Sequence, residues 1–211
     1  MRKLSFGPWQ SLSPLVLFGG EGIQPLRIDW PPLEEKHVDF LTGLPNRRAF
    51  DEALRLAVQE ACRQRAAFGV VLFDIDYFKK VNDTYGHHTG DAVLKIFASR
   101  LQSSIKSIDF AARYGGEEFA ALVLATEKER VWEVGERVRL AVSGAPFFVE
   151  GKELAVTCSF GCAVYPVDGS TAEEAVKAAD AALYRAKEAG RNRGFCAEVN
   201  HSPLKWEACR R

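Results

Sequence analysis

The sequence predicts an α/β (α+β) domain built on a mixed central sheet flanked by helices. Three observations predict it. Segments with apolar residues at helical spacing alternate with short apolar runs of strand length. Two of those runs are joined through Gly115-Gly116, a two-residue hairpin signal because glycine reaches positive φ at little steric cost, so one strand pair is antiparallel. The resulting order is helix, strand, helix, hairpin, helix, strand, helix, which describes one domain around one sheet.

The elements follow in chain order. Residues 1–36 hold five of the nine prolines and four glycines, which excludes a long helix. This stretch reads as an irregular segment or stalk, with Trp9 and Trp30 as candidates for docking it on a surface. The ordered domain is expected over 37–199, with a tail at 200–211. Asn46 is a good N-cap for a helix that places Phe50, Leu54, Ala57, Val58 and Ala61 on one face. "FGVVLFDI" (68–75) suits a buried central strand. A short helical turn follows in "YFKKVNDTYG", and "DAVLKIFASRLQSSI" reads as a helix with Val93, Leu94, Phe97 and Leu101 inward. "FAARYGGEEFAALVLA" is the hairpin. A helix with Val131, Val134, Val138 and Val142 inward stops at Ser143-Gly144. "LAVTCSFGCAVYP" is a further strand. Thr171 opens the last long helix, with Glu174 completing a capping box, and Gly190 ends it. "GFCAEV" is a candidate edge strand.

Composition narrows the class. The 28 basic and 28 acidic residues cancel, so no charge excess points to nucleic acid or an anionic membrane. The apolar stretches are far shorter than a membrane span, and no signal-peptide cleavage pattern follows "PLVLFGG". Five cysteines without zinc spacing fit reduced thiols and a cytoplasmic location, with Cys158 and Cys162 packing on one strand face.

Polar residues in apolar settings mark the chemistry. Asp74 interrupts "VVLFDID", where an unpaired charge costs several kcal/mol to bury. Asp76 shares its face only if the strand persists through Ile75. Glu117 and Glu118 crowd the hairpin tip, where glutamates are ordinarily solvated. Hard oxygen ligands from two strand ends are what a magnesium ion carrying nucleotide phosphates requires. Lys187 and Arg191 are spaced to share a helix face and hold phosphates, although solvated charges at a helix C-terminus are the plainer reading. Asn82 and Asp91 suit the donors and acceptors of guanine, and both types are also common in turns and caps. His87 and His88 read as loop residues.

"DFLTGLPNRRAF", "FDIDYFKKVNDTYGHHTGD", "ARYGGEEF", "SFGCAVYP" and "ADAALYRAKEAGRN" together closely resemble the GGDEF-domain diguanylate cyclases, over about Asp39 to Cys196. The signature loop is Gly115-Gly116-Glu117-Glu118-Phe119, with Glu in the third position, a variant compatible with activity. The resemblance implies a palm-like nucleotidyl-cyclase fold. It implies a homodimer that condenses two GTP into cyclic di-GMP and pyrophosphate. It also implies two Mg2+ or Mn2+ ions per site, held by Asp74, the Ile75 carbonyl and Glu117. Catalytic roles fall to Asp74, Glu117 and Glu118, the last either a partner in the metal site or a support for its ligands. Gly115 and Gly116 would leave room for the ribose and α-phosphate. Asn82 and Asp91 would read guanine, and Lys79, Lys187 and Arg191 would neutralise phosphates. Phe78 would shape the site through its backbone, and Asp76 would serve structure. The family's product-inhibition motif, Arg-x-x-Asp, stands here as Lys106 to Asp109, so that site is degenerate. The rivals are a catalytically silent GGDEF domain that binds nucleotide or docks a protein, and a cyclase for another nucleotide, against which Asp91 speaks. No sensor is recognisable, so an unidentified regulatory partner or the N-terminal segment would set dimerisation.

Overall fold

The structure is a computed structural model, and it describes residues 24–125 and 127–198. Its strands are β1 (Gln24–Pro25), β2 (Ala66–Ile75), β3 (Phe110–Arg113), β4 (Glu118–Val123), β5 (Phe147–Val149), β6 (Lys152–Leu154), β7 (Cys158–Tyr165) and β8 (Gly194–Cys196). Its helices are α1 (Arg47–Gln64), α2 (Phe78–Tyr85), α3 (His87–Ser104), α4 (Lys128–Ser143) and α5 (Ala172–Glu188), with a 3-10 turn at Glu35–His37.

The main sheet has the order β3-β4-β2-β7-β8. β2 lies between antiparallel β4 and β7, whereas β8 joins β7 in parallel and β1 pairs in parallel with the start of β2. The sheet is therefore mixed, as expected. β2 is buried along its whole length, because helices cover both faces. Val71, Phe73 and Ile75 pack with Phe97 and Val138 on the α3–α4 side. Phe68, Val70 and Leu72 pack with Phe50, Ala57, Ala179 and Leu183 on the α1–α5 side. That double burial is why β2 reads as a continuous apolar run rather than an alternating one. Each large side chain fully buried here contributes about 1.5–3 kcal/mol.

Local chemistry accounts for most element ends. The Asn46 side chain accepts from the Ala49 N–H at 3.1 Å and starts α1. Thr171 accepts from the Glu174 N–H at 3.1 Å and starts α5. The capping box is displaced by one residue, since the Glu174 carboxylate accepts from the N–H and hydroxyl of Ser170 rather than from Thr171. Gly190, at φ +107°, ends α5 as expected. Gly161 has a packing reason: a Cβ there would collide with the α5 backbone at Ala179 and Leu183. Its absence lets α5 lie directly on β7.

Three expectations are corrected here, and one element is added. His87 and His88 are not in a loop but open α3, because Gly86 at φ +85° reverses the chain between α2 and α3 without a longer connection. Gly115 and Gly116 do not adopt positive φ, so no tight two-residue turn forms there. The strands are joined by Tyr114 to Glu117, closed by the N–H groups of Tyr114 and Gly115 donating to the Glu118 carbonyl at 2.8 and 3.0 Å. A separate hairpin, β5–β6, turns through Glu150 and Gly151, both left-handed. Cys62 is disulfide-bonded rather than reduced, whereas Cys158, Cys162 and Cys196 are free.

The described part of the N-terminal segment is docked. Leu26 is buried, and the Trp30 indole donates to the Ile108 carbonyl at 2.8 Å and packs on Phe110. Trp9 and the tail beyond 198 lie outside the described residues. Among the described residues no helix is long and apolar enough to cross a membrane.

Candidate active site

The polar residues singled out in the sequence gather where β2 ends. Asp74 is the penultimate residue of β2, in register with Glu118 on one side and Ser159 on the other. It shares the α1–α5 face with Phe68, Val70 and Leu72 by strand alternation. α5, held close by Gly161, brings the Lys187 ammonium to 2.7 Å from the Asp74 carboxylate. Glu117 is drawn in through the backbone, its carbonyl accepting from the Ile75 N–H at 3.3 Å.

Burial pushes the Asp74 carboxyl above the usual carboxylate range, against the opposing hydrogen bond and charge of Lys187. Glu117 is pushed up first by burial and then by the negative charge of Asp74. Two acids raised by burial, one of them also by the other's charge, share the charge of one nearby ammonium, so the pocket is short of positive charge. A divalent cation fits that deficit. Among the described residues no three His, Cys, Asp or Glu side chains converge into a ready metal cage. Two carboxylates and a backbone carbonyl would hold such an ion only with oxygens brought by a ligand, which is the habit of magnesium.

Asp76 is separate from this pair. β2 stops at Ile75, and Asp76 accepts from the hydroxyls of Thr157 and Ser159, each at 2.7 Å, and from the Asn192 N–H at 3.0 Å. It pins the turn after α5 to the sheet, which is a structural task. Three residues around that pin, Tyr77, Arg191 and Asn192, adopt left-handed φ, a conformation that non-glycine residues hold only when their surroundings enforce it.

Lys187 and Arg191 do not share a helix face. α5 ends at Glu188, and Gly190 breaks the periodicity before Arg191. Arg191 still reaches the site from the turn. Its guanidinium lies 4.5 Å from the Tyr77 ring centroid and donates to the Tyr77 hydroxyl at 3.3 Å, and its charge acts on Asp74. Lys79, on the first turn of α2, is exposed. Phe78 is buried beside it.

Asn82 and Asp91 are neither turn nor cap residues. Asn82 lies within α2, Asp91 within α3, and Gly90 lets the two helices approach, since a Cβ there would strike the Asn82 carboxamide. Asn82 is half-buried and Asp91 exposed. At the degenerate motif the Asp109 carboxylate is buried and accepts from the backbone N–H groups of Lys106 and Leu124 at 3.1 and 3.0 Å. The Lys106 residue is exposed.

Sequence reasoning missed Arg113 and Asp39. Arg113 donates to both Asp39 carboxylate oxygens at 3.2 Å and to the Gly116 carbonyl at 2.8 Å. Asp39 is itself held by the N–H and hydroxyl of Thr42 at 2.9 and 2.7 Å. The turn before α1 thus braces the tip that carries Glu117. An arginine ending an apolar strand is the same anomaly as Asp74, and it was the available signal.

Comparison with known proteins bears on this geometry. The model of the family described as "Diguanylate cyclase, GGDEF domain" matches residues 36–193. The chain is 46% identical over 156 residues to diguanylate cyclase DgcP of Pseudomonas aeruginosa, covering 74% of this chain and 23% of that protein. It superposes on the GGDEF domain of DgcB from Caulobacter crescentus, solved in complex with c-di-GMP, with TM-score 0.75 and 37% identity, over 80% of this chain and 100% of that one. It superposes on the active GGEEF domain of a diguanylate cyclase from Vibrio cholerae with TM-score 0.66 and 33% identity, over 74% and 98%. The chain spans less than half the length of the curated relatives it matches.

Proposed function

The chain belongs to the family of diguanylate cyclase GGDEF domains, and on that premise we propose that it condenses two GTP into cyclic di-GMP with release of pyrophosphate. The observation that carries the reading is the pair of raised acids, Asp74 and Glu117, brought together at neighbouring strand ends beside Lys187. A silent domain has no use for two carboxylates kept in so unfavourable a setting. The Vibrio cholerae relative, described as active, is named for the same Glu in the third signature position.

Asp74, Glu117 and the Ile75 carbonyl would hold the divalent cations, Mg2+ or Mn2+. When bound, these supply Lewis acidity that lowers the pKa of a ribose 3′-hydroxyl and offsets charge on the leaving pyrophosphate. The chain's own groups do the rest. Lys187, Arg191 and Lys79 bind the triphosphate and orient it. Gly116 leaves open space above the hairpin tip, where a side chain would meet nothing of this chain but would crowd a ribose and α-phosphate. Gly115 keeps the tip thin beside Glu118, whose role is to support the ligands. Phe78 shapes the phosphate end through its backbone. Asn82 and Asp91 receive the guanine edge between α2 and α3.

The product is symmetric and one domain offers one nucleotide site, so two copies must face each other for each 3′-hydroxyl to meet the other's α-phosphorus. The catalytic unit is the domain at 37–199, working in the cytoplasm where GTP is present, with the segment before it or a regulatory partner setting the dimer. The test is incubation of the purified chain with Mg2+ and GTP or ATP across a dilution series, with chromatography of products. Cyclic di-GMP from GTP alone, at a rate per monomer that falls on dilution, is the expected result. Nucleotide binding without product would leave the silent-domain reading instead.

A further inference from the structure

A second group of reactive side chains lies on the opposite face of the sheet from Asp74. Cys162 on β7 and Cys196 on β8 are register partners on adjacent parallel strands. Their sulfurs are 3.1 Å apart, and both are free thiols. Cys162 is buried with the α3–α4 core, whereas Cys196 is half-buried on the edge strand. Lys128, at the start of α4, closes the group. Its ammonium lies 2.5 Å from Asp168 and donates to the carbonyl of Ala197, the residue after Cys196, at 3.0 Å.

We propose that Cys162 and Cys196 form an oxidisable dithiol pair, which a hydroperoxide closes to a disulfide joining β7 to β8. Register partners on neighbouring strands are about 4.7–4.9 Å apart, inside the disulfide span of about 4.4–6.8 Å between Cα atoms, and the sulfurs already touch at 3.1 Å. The Cys196 thiolate attacks one peroxide oxygen, the O–O bond breaks, and the leaving oxygen takes a proton to become water or an alcohol. Cys196 is then a sulfenic acid. Cys162 attacks its sulfur, the S–O bond breaks, and hydroxide leaves as water with the Cys162 proton. Two thiols lose two electrons and the peroxide gains them.

The surroundings assign the order. The hydrogen bond from Cys162 and the Lys128 charge hold the Cys196 thiol below its ordinary value, whereas that bond and burial push Cys162 up. The half-buried, more acidic thiol attacks and the fully buried one resolves. Cys158, on the same face and buried with its thiol pushed up by desolvation, is the internal comparison. The proposal is independent of nucleotide chemistry.

The test uses the whole chain, reduced, desalted and exposed to equimolar hydrogen peroxide, then alkylated and mapped by mass spectrometry. The expected result is a Cys162–Cys196 linked peptide that dithiothreitol reverses. Both thiols should become unreactive to alkylation together, at least about tenfold faster than Cys158. Cys162→Ala should leave Cys196 as a sulfenic acid trapped by dimedone, and Cys196→Ser should leave Cys162 inert to peroxide. Sulfinic acid at Cys196 of the unmutated chain, both thiols still alkylating, or links scattered among the cysteines as in denaturant, would overturn it.

Discussion

Two buried acid–lysine pairs sit at different places in this molecule, and they are built differently. Asp168 is ion-paired with the Lys128 ammonium at 2.5 Å and accepts from the Val164 N–H at 2.8 Å, and its lysine also donates to the Ala197 carbonyl. Among the described residues Asp74 is ion-paired with Lys187 alone, beside the like charges of Glu117 and Asp76. The lysine side chains differ too, 18% exposed for Lys128 and 31% for Lys187. Burial pushes both aspartates up. The first pair is closed on itself. The second is left open, with acidic oxygens in excess and a cation that can turn to another anion. A pair that ties loops together and a pair that waits for a ligand are told apart by the donors they lack, not by their distance.

The sharpest test of the contrast is removal of charge at the open pair. Asp74→Asn or Glu117→Gln should lower GTP turnover by about a thousandfold or more, as expected when charge stabilisation in a transition state is lost. Far-UV circular dichroism should be unchanged. Turnover near the unmutated rate in both variants would sink the assignment.

Stability should move in opposite directions at the two pairs. A carboxyl whose folded pKa is raised binds its proton more tightly when folded, so its contribution falls as pH rises from the ordinary range, about 4, through the raised value. Asp74→Asn relieves that cost without stranding a donor. Its melting temperature should match or exceed the unmutated one at pH 7, with the gap closing near pH 4. At Asp168 an amide cannot accept from both Val164 and Lys128, because one donor would face another. Asp168→Asn should lose about 3 kcal/mol, the scale of a broken buried pair, with cyclisation per folded molecule little changed. Scanning calorimetry at the two pH values decides it, and equal shifts would erase the distinction.

The brace at the hairpin tip should give a smaller effect. Lysine at position 113 cannot serve both Asp39 oxygens and the Gly116 carbonyl. Arg113→Lys should lower kcat about tenfold to a hundredfold through misplacement of Glu117, with KM for GTP little altered. A change confined to KM would place Arg113 on the nucleotide rather than behind it.

The smallest effect is expected at the degenerate motif. Lys106→Arg restores a planar fork, but Asp109 is already engaged by two backbone donors. Affinity for cyclic di-GMP should rise by up to about tenfold, the value of one charged contact. Tight inhibition of the unmutated chain, indifferent to the change, would put the product site elsewhere.

What was legible in the sequence was what burial and spacing dictate. β2, the inward faces of α1, α3 and α4, and the caps at Asn46 and Thr171 follow from apolar periodicity and local hydrogen bonding. Asp74 and the Glu117-Glu118 pair stood out because a charge inside an apolar run has a cost that demands a reason. Arg191 was misplaced because spacing assumes a helix that Gly190 ends. Arg113 and Asp39, 74 residues apart in sequence, were hidden because only the folded backbone brings the turn before α1 under the hairpin tip. The β5–β6 hairpin was missed although Glu150-Gly151 carried a turn signal.

The bare backbone of Gly161 bears on how this domain could be controlled. α5 rests on it without any intervening side chain, and Lys187 rides one turn beyond Leu183 on the same helix. The height of that helix therefore determines whether its ammonium meets Asp74. A methyl group at 161 would act as a shim, lifting the helix by part of its own thickness and detuning the charge balance from outside the nucleotide pocket.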